Sequence, residues 1–222
     1  NIDIGIITIG LDRDFSLRRI ERYLALVQGS GATPLIILNK ADLCKDFKKR
    51  EKDVIRIVKS IPVITMIALN KNDTEILYKY IKKGKTAALL GSSGVGKSTI
   101  INQLLGFERQ KVKELSISAG KGQHTTSRRE LIILPNGGLM IDNPGMREVQ
   151  LWADEVDLSD IFTDIESLAQ NCRFRNCQHG AEPGCAVKES LDKGEIEENR
   201  LKNYLKMKSE VTQLAWKQKT RK

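Results

Sequence analysis

Short apolar runs alternate with stretches of helical spacing over the first half of the chain. Residues 2–9 mix apolar and small positions in the pattern of a buried strand. Leu17, Ile20, Leu24 and Val27 then recur at helical spacing over residues 16–27, and Gly29 follows as a stop. Residues 34–38 form a continuous apolar run, the mark of a parallel strand covered on both faces. The alternation continues with an amphipathic helix over 46–59, a strand over 62–68, a helix over 75–81 and a strand over 86–90. A glycine-rich loop and a helix over 97–105 complete it. The order β-α-β-α-β-α-β-α predicts an α/β fold with a parallel sheet flanked by helices.

The pattern then changes. Residues 129–134 and 138–141 read as two strands joined through Pro135, Asn136 and Gly137, a hairpin signal. Beyond Trp152 the aliphatic runs stop. A Cys/His cluster follows, and residues 195–217 predict one long charged helix. This places a boundary near Trp152, with one domain over residues 1–152 and a smaller, mostly helical one over 153–222.

Composition narrows the class. A chain of 222 residues with 40% hydrophobic and 29% charged positions suits one full α/β domain with an appendage, and excludes a disordered chain. No apolar run is long enough to cross a bilayer, and the apolar opening lacks a basic leader and cleavage pattern. No membrane association and a cytoplasmic location are therefore expected. The net charge of +9 suits a phosphate-rich partner such as RNA. Cys44 stands alone and reads as a small buried residue. Cys172, Cys177 and Cys185 cluster, which in a reducing compartment favours metal over disulfides.

Gly91, Ser92, Ser93, Gly94, Val95, Gly96, Lys97 and Ser98 match G-x-x-x-x-G-K-[ST] in full, between a predicted strand and a predicted helix. Glycines let a backbone curl so that several N–H groups face phosphate oxygens, and the helix N-terminus adds favourable potential. Lys97 would neutralise the β- and γ-phosphates. The Ser98 hydroxyl would coordinate Mg²⁺, a hard cation that takes oxygen ligands. Thr99 completes the expected nucleotide-binding run.

Asp142, Asn143, Pro144 and Gly145 form D-x-x-G at the end of an apolar strand. The carboxylate there suits holding Mg²⁺ through the ion's bound water, and the Gly145 N–H suits the γ-phosphate. Between this element and the phosphate loop, residues 120–127 form a polar, glycine-bearing loop. Thr125 and Thr126 are alternative hydroxyls for Mg²⁺. Met146 occupies the place of a water-orienting glutamine and cannot hydrogen-bond water. His124 is then the candidate orienter or proton acceptor, and intrinsic hydrolysis is expected to be slow.

Asn39, Lys40, Ala41 and Asp42 follow the strand over 34–38 and match N-K-x-D, the guanine-selective motif. A carboxylate at Asp42 accepts hydrogen bonds from guanine N1–H and N2–H₂, a donor pair that adenine lacks. Asn39 would tie this loop to the phosphate loop, and the Lys40 stem would cover the base. Ala68 and Leu69, at the end of the strand over 62–68, occupy the place where a backbone N–H meets guanine O6, although Ile67 stands where a serine is usual. The order is informative: N-K-A-D precedes the phosphate loop, whereas ordinary Ras-like domains carry it last. Rejoining the termini of such a domain preserves every strand neighbour, so the expected architecture is a circularly permuted Ras-like P-loop GTPase fold. Nucleotide-dependent motion could then reach the adjoining C-terminal domain.

Cys172, Cys177, His179 and Cys185 offer three thiolates and one imidazole, a closed tetrahedral zinc set of the structural kind. Gly180, Pro183 and Gly184 suit the tight turns between the ligands. Arg173, Arg175, Arg200, Lys202, Lys206, Lys208, Lys217, Lys219, Arg221 and Lys222 surround this module, and together they suit a phosphate backbone.

With residues 14–23 and the motif residues above, the chain resembles the bacterial small-ribosomal-subunit-dependent GTPase A family, circularly permuted GTPases of ribosome biogenesis. The likeness spans essentially the whole sequence. It implies binding of GTP and GDP with Mg²⁺, hydrolysis stimulated by the small subunit, a role in that subunit's late maturation, contact with its rRNA, and Zn²⁺ in the C-terminal domain. A monomer is expected. Members of that family carry an OB-fold ahead of the GTPase domain, and residues 1–10 open directly on a strand. Asn143 replaces the usual Thr and Gln123 the usual Arg. The competing reading is a nucleotide-regulated RNA-binding module with negligible hydrolysis.

Overall fold

The computed structural model describes residues 1–107, 130–142, 158–159 and 161–219, with the backbone alone at 214, 215 and 217–219. The loop over 120–127 with His124, Thr125 and Thr126, the segment with Gly145 and Met146, and the boundary at Trp152 lie outside the described residues. The chain divides into two compact units, Asn1–Gln150 and Leu151–Lys222.

The first unit is built on a six-stranded sheet. Its strands are β1 (Ile4–Gly10), β2 (Thr33–Asn39), β3 (Val63–Thr65), β4 (Thr86–Leu90), β5 (Glu130–Ile133) and β6 (Leu139–Asp142), in the spatial order β3-β2-β1-β4-β6-β5. All neighbours are parallel except β5 and β6, the expected hairpin. Gly137 closes its turn with φ +80°, and Leu134 N–H donates to Gly138 O at 2.8 Å.

Alternation along the strands loads both faces. Ile6, Leu35, Ile37, Ala87, Leu89 and Met140 share a core with Ile100, Ile101 and Leu104 of helix α4 (Lys97–Leu105). Ile7, Ile9, Ile36 and Leu38 are buried as well. Helix α1 (Leu17–Gly29) buries Ile20, Tyr23, Leu24 and Val27, and α2 (Phe47–Val58) buries Val54 and Val58. A Cβ added at Gly5 would lie 2.5 Å from Val27 Cγ1, so α1 packs hard against β1.

Two elements differ from the sequence pattern. The strand over 62–68 pairs as a ladder across Val63–Thr65; Met66 N–H still donates to Leu38 O at 2.9 Å, but the next amide facing β2, that of Ala68, goes to the Asn39 side chain at 2.8 Å. The helix expected over 75–81 begins earlier, as α3 (Lys71–Glu75), with Asn70 capping Asn72 N–H. It tightens to a 3-10 turn over Ile76–Lys79.

The second unit holds α5 (Thr163–Ala169), α6 (Ala186–Asp192) and α7 (Glu198–Lys219). Phe162, Ile165, Val187, Tyr204 and Met207 are fully buried. Phe162 and Tyr204 meet edge to face at 5.4 Å between ring centroids, a favourable aromatic geometry. Among the described residues, no helix is long and apolar enough to cross a membrane.

Candidate functional site

β4 ends at Leu90 and α4 begins at Lys97, so residues 91–96 form the turn between them. Gly91, Gly94 and Gly96 take φ of +147°, +76° and +107°. A Cβ at Gly91 would stand 2.4 Å from Thr8 O, and one at Gly96 would stand 2.2 Å from Asn39 Nδ2. The loop is therefore squeezed between β1 and β2 at positions only glycine fills. Its positive-φ turns and the free first turn of α4 make the kind of concavity that favours an anion.

Lys97 is 7% exposed and folds back over this loop. Its Nζ donates to Gly91 O at 2.9 Å and to Ser92 O at 2.8 Å. Burial lowers its ammonium to about 8, against the opposing attraction of Asp142 and Asp14. Asp142 ends β6 in register with Leu89 and is fully buried. A cation held by carbonyls and neighbouring carboxylates in a dry setting is suited to meeting phosphate charge.

Asn39 ends β2 and is 2% exposed. Its Nδ2 donates to Val95 O at 2.8 Å, and its Oδ1 accepts from Ala68 N–H at 2.8 Å. One amide thus joins the N-K-A-D loop to the phosphate loop and to the end of β3. Lys40 sits in the left-handed region at φ +65°, which turns the chain into the short 3-10 segment Ala41–Leu43 carrying exposed Asp42. Lys40 Nζ meets Asp12 Oδ2 at 2.6 Å. The Ala68 N–H is already engaged, and Leu69 beyond it is exposed.

Sequence reasoning missed the acidic residues after β1. Asp14 accepts from the Ser92 hydroxyl of the phosphate loop and is held in turn by Arg19. Asp12 holds Lys40 and accepts the Asp14 N–H at 2.9 Å. Arg50 of α2 donates to Leu11 O at 2.9 Å and Asp12 O at 3.1 Å, so this turn is braced from a second helix. The usable signal was position: carboxylates just past the C-terminal end of a central parallel strand stand where such sheets bind ligands.

In the second unit, the ligand atoms of Cys172, Cys177, His179 and Cys185 all lie within 4.8 Å of one another. His179 Nδ1 is 3.4 Å from Cys185 Sγ and 3.7 Å from Cys172 Sγ, and these two sulfurs are 3.9 Å apart. Tetrahedral zinc with Zn–S near 2.3 Å requires ligand edges of roughly 3.6–3.8 Å, so the donor set fits that ion. His179 takes φ +58° and Gly184 φ +71°. Glu182 accepts the Gln178 and Gly180 N–H groups at 2.9 and 2.7 Å and shapes the turn around His179.

Three of the cations grouped with this module are occupied. Arg200 grips Asp164 through Nε at 2.5 Å and Nη2 at 2.8 Å, donates to Ile161 O, and lies 4.9 Å above the Phe162 ring. Its role is structural, because the long helix turns it inward. Lys208 donates to Tyr204 Oη at 3.0 Å, and Lys202 pairs with Glu198. Cys44 is buried and unpaired with any other cysteine, as expected.

The family model of the RsgA GTPase matches residues 1–152. The small ribosomal subunit biogenesis GTPase RsgA of Opitutus terrae is 48% identical over 211 residues, 95% of this chain and 58% of its own length. The protein of the same name from Leptospira interrogans is 47% identical over 213 residues, again 95% of this chain and 59% of its own length. The chain thus spans less than two thirds of these relatives. YjeQ from Thermotoga maritima superposes with a TM-score of 0.65 at 27% identity, covering 97% of this chain and 72% of the other. YloQ, described as a circularly permuted GTPase, has the same fold, with a TM-score of 0.65 over 100% of this chain and 70% of the other at 24% identity.

Proposed function

Because the chain belongs to the RsgA GTPase family, we propose that it hydrolyses GTP and couples this reaction to late maturation of the small ribosomal subunit. The observation that carries the reading is the double bond-making of Asn39, which anchors N-K-A-D against the phosphate loop although it comes first in sequence.

Residues 91–99 cradle the phosphates through backbone N–H groups, with Lys97 leaving its loop carbonyls for the β- and γ-oxygens. Asp42 reads guanine N1–H and N2–H₂, the Lys40 stem covers the base, and the Leu69 amide serves O6, with small Ala68 letting the backbone come close while Asn39 holds its N–H. The hydroxyls of Ser98 and of either Thr125 or Thr126, with the Asp142 carboxylate behind them, would hold Mg²⁺, which would supply charge to offset that of the phosphates. Gly145 N–H meets the γ-phosphate. Since Met146 cannot orient water, His124 takes that part, and the reaction waits on the subunit for speed. Zn²⁺ in Cys172, Cys177, His179 and Cys185 supplies a structural staple for a module too poor in aliphatic residues to close alone.

The division of labour is a GTPase domain over residues 1–152 and a zinc domain over 153–222 that faces rRNA. The protein acts as a cytoplasmic monomer away from membranes. The test is the GTP hydrolysis rate against the concentration of purified small subunits. A saturable acceleration is expected. A flat response at the intrinsic rate, with tight GTP binding preserved, would instead identify a nucleotide-regulated RNA-binding module.

A further inference from the structure

An open cavity of about 290 Å³ in the second unit is lined by Cys172, Cys177 and His179 of the cluster, where the metal would sit, and beside them by Phe174, Arg175, Gln170 and Lys208. Phe174 is 41% exposed, and the Arg173 guanidinium lies 5.4 Å from its ring centroid. Gln170 and Arg175 are both exposed. Among the described residues, Arg175 makes no ion pair, and the Gln170 side chain makes no hydrogen bond. An aromatic ring left in water beside an unpaired guanidinium and an unpaired amide has the makings of a recognition site, since each group has unused capacity for the same ligand.

We propose that the part of this cavity beside the metal position accepts one unstacked base of single-stranded RNA, with Phe174 stacking on the base, Gln170 meeting its edge and Arg175 meeting the adjoining phosphate. The inference rests on the ribosomal reading above and gives it a contact point. The chemistry favours a base over an acidic peptide. A base has a π face for the ring and an edge that both donates and accepts, as the Gln170 amide does. An acidic peptide would use the cations alone and would leave the exposed ring without a partner. Phe174 is also fixed in advance. It sits between Cys172 and Cys177, its carbonyl accepts from Cys177 N–H at 3.2 Å, and its neighbour Arg173 donates to Gly184 O at 3.0 Å. A ring set between zinc ligands loses little freedom on stacking.

The experiment is fluorescence anisotropy of the zinc-loaded chain with a labelled short single-stranded RNA of mixed sequence, and with the same RNA annealed to its complement. The single strand is expected to bind more tightly. F174A should lose about tenfold of that affinity and F174W should keep it, because stacking tolerates any aromatic face. R175A should weaken all sequences alike and reduce the salt slope by about one. Q170A should flatten differences among homopolymers and gives a second reading if F174A fails to fold, which zinc content and circular dichroism report. Wild-type affinity in folded F174A, or a preference for duplex, overturns the cavity while leaving the ribosomal reading intact. Absence of RNA binding even at low salt overturns the cavity and the RNA part of that reading together.

Discussion

Asn39 Nδ2 donates to Val95 O across a 2.8 Å bond, joining the loop after β2 to the loop after β4 through one buried side chain. The same amide receives Ala68 N–H, so its loss leaves a carbonyl and an amide unsatisfied in a dry site. Each such group costs about 1–3 kcal/mol. N39A should therefore release GDP roughly 30-fold faster or more, read by displacement of a fluorescent GDP analogue. Wild-type release rates would mean that the two loops hold their places without this tie.

Base selection is assigned to Asp42. D42N replaces a double acceptor with a group that also donates. GTP affinity should fall by up to about 10⁴-fold. Xanthosine triphosphate, with an oxygen at C2 where guanine carries its amine, should gain. Competition binding with both nucleotides measures the exchange, and parallel losses of the two would point to a folding defect instead.

Lys97 carries a pH signature. Its ammonium sits near 8, below the ordinary lysine value of 10.5, chiefly through burial. Between these values the unfolded chain holds more protons. The nucleotide-free unit therefore gains stability from this group as pH rises through that window, and bears its full cost below pH 8. Phosphate oxygens favour the charged form, so nucleotide binding at pH 8–9 should take up a proton. Calorimetry in buffers of differing ionisation enthalpy reads that uptake directly. A binding enthalpy independent of buffer would remove Lys97 from the phosphate site.

Zinc should hold the second unit together. A structural zinc set contributes on the order of 10 kcal/mol in small modules. Chelation, or C185S, should expose thiols to a disulfide reagent and reduce helical circular dichroism, with one zinc per chain in the intact protein. Thermal unfolding of a chelated sample that still matches the loaded protein would contradict a structural metal.

R200A should destabilise the second unit without changing RNA affinity. Its pair with Asp164 is half-buried, and breaking a buried pair costs about 3 kcal/mol. Differential scanning calorimetry and the anisotropy assay together separate the two effects.

The sheet was legible because parallel strands covered on both faces write themselves as apolar runs, as in residues 34–38 and 86–90. The phosphate loop and Asn39 were legible because their chemistry demands fixed residue types at fixed spacing. The short β3 was not, since the Asn39 side chain, far off in sequence, takes the Ala68 amide that would have continued the pairing. Helix α3 was misplaced for a related reason: Asn70 caps it, and a single polar residue at a strand end gives little warning of its role. Asp12 and Asp14 lacked a motif, because their partners Lys40 and Ser92 are brought near only by the fold. Arg200 looked like surface charge because sequence gives no sign of which helix face Asp164 will meet.

Strand β1 has β2 on one side and β4 on the other, so Ile4 pairs with Thr33 and, much farther along the chain, with Ala87. A polypeptide made from its N-terminus therefore carries β1 with one open edge until β4 emerges, and β4 waits in turn for β6. Contacts of such long sequence separation slow folding and leave unpaired strand edges exposed to neighbouring chains. The permuted order thus sets a kinetic demand on biosynthesis: the guanine end of the sheet is made first and stays vulnerable to misassembly until the phosphate end is complete.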